Sequence, residues 1–240
     1  VTPTGDVTTI AGKGAPEFSG DGGPAVAAGL NIPCSVAVDV TGNLFILDRY
    51  NYRIRKVSTN GIISTIAGNG ISADLGDGGP AINASFVYPR YITLDPSGNI
   101  YVSDEGSNKI RKINTSGIIS TYAGTGTAGY NGDGIPAITA QLSVPQSICT
   151  DASGNLYITD KNNARVRKVS TNGIISTIAG NGIEGNSGDG GQATLASITA
   201  FAVHVDNHLN LYISDAAHIR KVDLFTGIIT TFAGGGLPGH

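Results

Sequence analysis

A block of about 56 residues returns along this chain, its last copy two residues shorter, and that period limits the fold more than any other feature. Gly61-Ile62-Ile63-Ser64-Thr65-Ile66-Ala67-Gly68 recurs at 117–124, at 173–180 and, with small changes, at 227–234. A shortened copy at residues 6–12 opens the chain. Three series of aspartates keep the same frame. Asp21, Asp77, Asp133 and Asp189 sit within Gly-Asp-Gly; Asp39, Asp95, Asp151 and Asp206 form the second series; Asp48, Asp104, Asp160 and Asp215 form the third. The pairs Arg55-Lys56, Arg111-Lys112, Arg167-Lys168 and Arg220-Lys221 complete the unit. A repeat of this length signals units that cannot bury a hydrophobic face alone and must stack. The units run approximately over 13–68, 69–124, 125–180 and 181–234, as one domain or segment.

Each unit reads as four short strands. The first, Ser35-Val36-Ala37-Val38-Asp39 in the opening copy, runs into Gly42-Asn43, a dipeptide suited to positive φ. The second, Leu44-Phe45-Ile46-Leu47, is apolar at every position, so it must be covered on both faces. The third spans 52–57 and carries the basic pair. The fourth, 62–67, follows a Thr-Asn-Gly hairpin turn. A connection of about 20 residues then leads on, long enough to need ordered turns of its own, with one helical turn expected at Pro80-Ala81-Ile82-Asn83-Ala84. Antiparallel units with doubly covered central strands describe an all-β β-propeller of four-stranded blades, since radial stacking leaves only short, protected edges.

The pattern Pro-x-x-[IV]-x-x-Asp-x-x-Gly-Asn-[LI]-[FY]-[IV]-x-Asp, carried at 33–48, 89–104 and 145–160, resembles the NHL-repeat family. In the fourth copy Ala200 replaces the proline and Asn207-His208-Leu209-Asn210 forms the turn. The Gly-Asp-Gly-Gly-Pro-Ala insertion is similar to the long-repeat variant of bacterial secreted proteins and teneurin-type propellers. The resemblance implies a propeller scaffold, which serves many purposes. Four repeats are fewer than the five or six blades usual for the family. Residues 7–11 also duplicate the final strand at 228–233, leaving one spare. Three readings follow: part of a longer propeller, closure with one strand displaced, or a spare strand that pairs with another subunit.

Positions that break the repeat are the candidates for binding, because the scaffold does not dictate them. At the mouth of the first strand the copies carry Cys34, Arg90, Gln146 and Phe201; after the second strand they carry Arg49-Tyr50, Glu105, Lys161 and Ala216. The partner-binding candidates are therefore Cys34, Arg49, Tyr50, Arg90, Glu105, Gln146, Lys161 and Phe201. The Gly-Asp-Gly aspartates read as turn residues bonded to nearby backbone N–H groups. One carboxylate per repeat supplies too few oxygens for calcium, which takes about 6–8. The basic pairs read as blade-to-blade salt bridges. His204, His208, His218 and His240 all fall in the last repeat rather than around a ring. No catalytic residue, metal ligand or cofactor site is assigned.

Charged residues are 14% of the chain, and the net charge of −3 provides no field to draw it to nucleic acid. No apolar run approaches the length needed for membrane insertion. Cys34 and Cys149 make no disulfide framework and read as free, buried thiols. The chain holds no methionine and starts Val1-Thr2-Pro3-Thr4, which reads as a start after processing or as a fragment. Asn83-Ala84-Ser85 and Asn114-Thr115-Ser116 fit the N-glycosylation pattern. Low charge and abundant Ser, Thr, Asn and Gly suit an extracellular or cell-surface location. The expected function is a non-catalytic module, binding a protein partner or self-associating through the spare terminal strand. The alternatives are a ligand- or glycan-binding sensor domain and, third, a metal-dependent lyase or lactonase.

Overall fold

Four antiparallel sheets form where the repeat places them. The computed structural model describes residues 5–235. Sheet 1 holds β1 (Pro33–Val38), β2 (Leu44–Asp48), β3 (Arg53–Val57) and β4 (Ile63–Ala67). Sheet 2 holds β5 (Pro89–Leu94), β6 (Ile100–Asp104), β7 (Lys109–Ile113) and β8 (Ile119–Ala123). Sheet 3 adds the two-residue β9 (Ile135–Pro136) to β10 (Pro145–Thr150), β11 (Leu156–Asp160), β12 (Arg165–Val169) and β13 (Ile174–Ala179). Sheet 4 holds β14 (Ala200–Val205), β15 (Asn210–Asp215), β16 (His218–Asp223) and β17 (Ile229–Gly234). In each sheet the four main strands form a meander, with β9 added outside β13 in sheet 3, and each sheet forms one blade of a β-propeller.

The insertion before each blade folds back along that blade's outer strand. Gly78 N–H donates to the Ile119 carbonyl and Ile119 N–H to that of Gly79. The expected helical turn is a 3-10 turn at Ala81–Asn83, with counterparts at Ala25–Ala27, Ala137–Thr139 and Ala193–Leu195. Gly68 (φ +89°) links blade to insertion, where its N–H donates to the Ala81 carbonyl. A Cβ there would lie 2.1 Å from the Tyr52 carbonyl oxygen, so only glycine fits.

Stacking buries each interior blade on both faces. The back of blade 1 (Phe45, Leu47, Ile54, Ala67) packs on the front of blade 2, which supplies Ile92, Val102, Ile113 and Ile119 with Ala81, Ala84 and Phe86 of the insertion. Equivalent clusters join blade 2 to blade 3 and blade 3 to blade 4. A fourth cluster covers only the front of blade 1 with its own insertion, through Ala25 and Ala28. Among the described residues none of the four joins blade 4 back to blade 1, so these four blades form an open arc. The second strand accordingly differs by position. β6 and β11 are buried throughout, whereas β15, with no blade behind it, alternates between buried and half-buried. β17 completes blade 4, and residues 7–11 lie outside any strand, so the N-terminal copy of the outer strand is the spare one.

Candidate functional site

The recurring charges prove to be framework. Arg55, Arg111, Arg167 and Arg220 are fully buried (0% exposed), and each bonds the Gly-Asp-Gly aspartate of its own insertion. The distances are 2.8 Å (Arg55–Asp21), 2.7 Å (Arg111–Asp77), 2.9 Å (Arg167–Asp133) and 2.6 Å (Arg220–Asp189). In blades 1, 3 and 4 the same guanidinium also meets the buried aspartate that ends the second strand: Asp48, Asp160 or Asp215. In blade 2, Asp104 instead accepts the Val87 and Tyr88 N–H groups, and Arg111 takes Asp74. Two expectations are corrected. The Gly-Asp-Gly aspartates each bond an arginine rather than the amides of their own turn, with Asp189 also accepting the Thr231 N–H of the outer strand, and the basic pairs work within a blade and its insertion rather than between blades.

Backbone capping falls to the second aspartate series. Asp151 Oδ1 accepts the N–H groups of Ser153 and Asn155, while Oδ2 accepts the Asn155 amide and the Tyr157 hydroxyl. Asp206 repeats this with His208 and Asn210, and hydrogen bonds from Asn210 hold its carboxyl at about 2. The divergent fourth turn therefore keeps its geometry, with Leu209 at φ 60° where the other copies use glycine. For Asp77, partial burial raises the carboxyl, but hydrogen bonding by Thr121 and Arg111 together with the Arg111 charge prevails and leaves it lowered. Burial dominates at Asp104 and Asp160 and raises both.

The positions that break the repeat share one end of the blades, where each first strand begins. Strand register is the reason. The first residue of each inner strand pairs with the last residue of the second strand, as in Pro33 with Asp48 and Pro89 with Asp104. The register then shifts, between Pro33 and Ser35 and between Pro89 and Tyr91. Such a bulge leaves the next residue unpaired and redirects its side chain. Cys34, Arg90, Gln146 and Phe201 occupy these bulges, beside the 3-10 turns that begin at Arg49, Glu105 and Lys161.

Contacts link the eight candidates in three groups. The Cys34 thiol donates to the Arg90 carbonyl at 3.2 Å, and Glu105 receives Arg90 at 3.8 Å and the Gln146 amide at 3.5 Å. Lys161 Nζ stands 5.2 Å from the Phe201 ring centre. The Arg49 guanidinium lies 4.0 Å from the Tyr88 ring centre and 5.8 Å from that of Tyr50, whose hydroxyls are 3.0 Å apart. Tyr88 was not among the sequence candidates. It precedes Pro89 and differs from Ile32 and Val144 at the same repeat position, a signal that comparing the copies contains. Arg49 is 8% exposed and its Nε is sealed without a partner. Among the described residues, it is the arginine with neither a carboxylate nor a hydrogen-bond acceptor.

The remaining groups lie apart from this end. Cys149 is buried and its thiol is pushed up to about 12 by burial, whereas Cys34 is exposed, correcting the expectation of two buried thiols. His204 borders a central cavity of about 390 Å³ with Tyr91, Ile148 and Cys149. Among the described residues no three His, Cys, Asp or Glu side chains are grouped to hold a metal ion. His240 lies outside the described residues, as do residues 1–4. No helix of the described residues is long and apolar enough to cross a membrane.

The teneurin NHL domain profile matches residues 4–75, 69–131 and 126–184. The chain belongs to the teneurin NHL family. It is 33% identical to teneurin-1 of Gallus gallus over 230 residues and 33% identical to teneurin-3 of Mus musculus over 231. Both alignments cover 84% of this chain, which spans only 8% of either relative. Among solved structures, a Bacteroides thetaiotaomicron protein of unknown function superposes with a TM-score of 0.61 and 25% identity, over 78% of this chain and 46% of that one. A streptogramin B lyase superposes with a TM-score of 0.56 over 86% of this chain and 55% of that one, at 15% identity, which shows the fold alone. The NHL propeller expected from the repeat is thus the fold and family of the chain.

Proposed function

We propose that this NHL propeller is a non-catalytic protein-interaction module, acting outside the cell or at its surface through the end that carries the eight linked residues and Tyr88. Arg49 carries the reading. Its side chain is mostly covered, its Nε is sealed without an acceptor, and its guanidinium lies over Tyr88 in a rim of mixed charge. Arginine and tyrosine in such settings dominate interface energetics, and guanidinium matches a carboxylate in two parallel hydrogen bonds. An acidic or carbonyl-bearing partner group would supply what the fold leaves out.

The test is saturable binding of labelled chain to intact cells. Tyr50→Ala and Arg90→Glu, both at exposed side chains, should each weaken binding by about tenfold or more. Lys168→Glu, distant from the turns at this end, should leave it unchanged. No saturable binding, or equal binding by all variants, would overturn the reading. Self-association is a second reading, favoured by residues 7–11: they repeat the outer-strand sequence, lie in no strand, and expose Val7 and Ile10.

A further inference from the structure

The blades set the order of charges along the rim that carries the eight candidates. Blade 1 brings Arg49, which among the described residues has no carboxylate partner and whose guanidinium lies 4.0 Å from the Tyr88 ring centre. Blade 2 brings Arg90 and Glu105, whose charges offset one another at 3.8 Å. The Gln146 amide of blade 3 donates to that same carboxylate at 3.5 Å. Blade 3 also brings Lys161, whose ammonium pairs with no carboxylate among the described residues and stands 5.2 Å from the Phe201 ring centre of blade 4. From blade 1 to blade 3 the rim therefore runs cation, neutral pair, cation. An exposed aromatic side chain stands by each free cation, Tyr50 at Arg49 and Phe201 at Lys161. This positive excess is local, since the chain as a whole carries a net charge of −3.

We infer that the partner lays an extended acidic peptide segment along this rim, with two carboxylates, an apolar side chain beside each, and no negative charge between them. This rests on the protein-interaction reading above and names the partner's chemistry. One carboxylate meets the Arg49 guanidinium and the other the Lys161 ammonium; the apolar neighbours cover Tyr50 and Phe201. A negative charge midway would face Glu105, whose own cation is already taken by the pair with Arg90. An evenly sulfated glycan places charge there, whereas a peptide can place a neutral residue.

The blades also set the spacing. Sheets packed face to face stand about 10 Å apart, so the two steps from blade 1 to blade 3 separate the cations by roughly 20 Å. An extended chain covers that in about six residues, at about 3.4 Å each.

Fluorescence anisotropy with labelled peptides and the full chain provides the test. The probes carry two Asp-Leu pairs joined by between about two and about eight Ser and Gly residues. Binding should be tightest near about four linking residues, which sets the aspartates about six apart, and added salt should weaken it. Lys161→Glu, folded by circular dichroism, should lose about tenfold for that peptide and regain it when the matching aspartate of the peptide is exchanged for lysine, a rescue that a structural role for Lys161 would not produce. Glu105→Gln, which frees Arg90, should raise affinity about tenfold for a peptide with an added aspartate in mid-linker. Binding by no peptide of the series, equal binding by Lys-Leu counterparts, or capture of a heparin fragment in place of the peptides overturns the inference. Cell binding that Tyr50→Ala weakens but no peptide competes away keeps the interaction reading and overturns the acidic register alone. Peptide binding with the expected spacing and rescue, but no saturable binding to cells, supports the register and overturns the cell-surface reading.

Discussion

Replacing Arg167 with leucine should be among the most damaging single changes in blade 3. Arg167 is fully buried; its Nη2 donates to the Gly132 carbonyl at 2.8 Å and to Asp133 at 2.9 Å, and its Nη1 meets Asp160 at 3.4 Å. Asp160 is itself fully buried, and burial already raises its carboxyl despite the hydrogen bonds of Asn163 and Ser143. Removing the cation leaves that carboxylate uncompensated, a change that costs about 3–5 kcal/mol. The other partner is a useful contrast. Asp133 is 38% exposed at its side chain, so Asp133→Asn loses an ion pair worth about 0–1 kcal/mol. For a domain of this size about 1 kcal/mol moves Tm by roughly 2–4 °C, so the first variant should fall by about 6–20 °C and the second by at most about 4 °C. With nine tyrosines and no tryptophan, unfolding in urea can be followed by tyrosine fluorescence beside far-UV circular dichroism. Equal losses for the two variants would refute the claim that the buried half of the network anchors the insertion.

Three further outcomes follow from local geometry. Gly61→Ala, at φ +79° with open space around the new Cβ, should cost about 1–2 kcal/mol, while Gly68→Ala should cost about 1–3 kcal/mol more because its Cβ meets the Tyr52 carbonyl; urea midpoints measure the difference. Leu209→Gly should stabilise the chain by about 1 kcal/mol, since it relieves a positive φ at a turn where the other copies already have glycine, and calorimetry would detect the rise in Tm. Asp206 titrates at about 2 against an ordinary 3.8, so its turn contributes stability above the ordinary value and loses it as pH falls from 3.8 toward 2. Carboxyl NMR should find its midpoint near that lower value, and a midpoint close to 3.8 would discount the hydrogen bonds from Asn210 and His208.

Most of the scaffold was legible because identical copies must meet identical surroundings. The apolar second strands, the Gly-Asn turns and the helical turn after Pro80 all appeared where the frame put them. Ion-pair partners were harder to read. Both members of Asp21–Arg55 stood out as markers, and their separation of 34 residues recurs in Asp77–Arg111 and Asp133–Arg167. Pairing them, however, needs the path of the insertion back along the blade. The convergence of Cys34 with Arg90, and of Gln146 with Glu105, depends on bulges that periodicity does not reveal. Tyr88 was overlooked because the inner-strand motif begins at the next residue. The buried isolation of Arg49 is a property of three-dimensional neighbours, and no spacing along the chain encodes it.

Amide hydrogen exchange, resolved by strand on chain held monomeric by dilution, tests the stacked arc most directly. The account predicts slowest exchange in β6 and β11, each covered on both faces, with β15 and β17 measurably faster because nothing lies behind them. Equal protection of β15 and β11, or rapid exchange of β6, would contradict it.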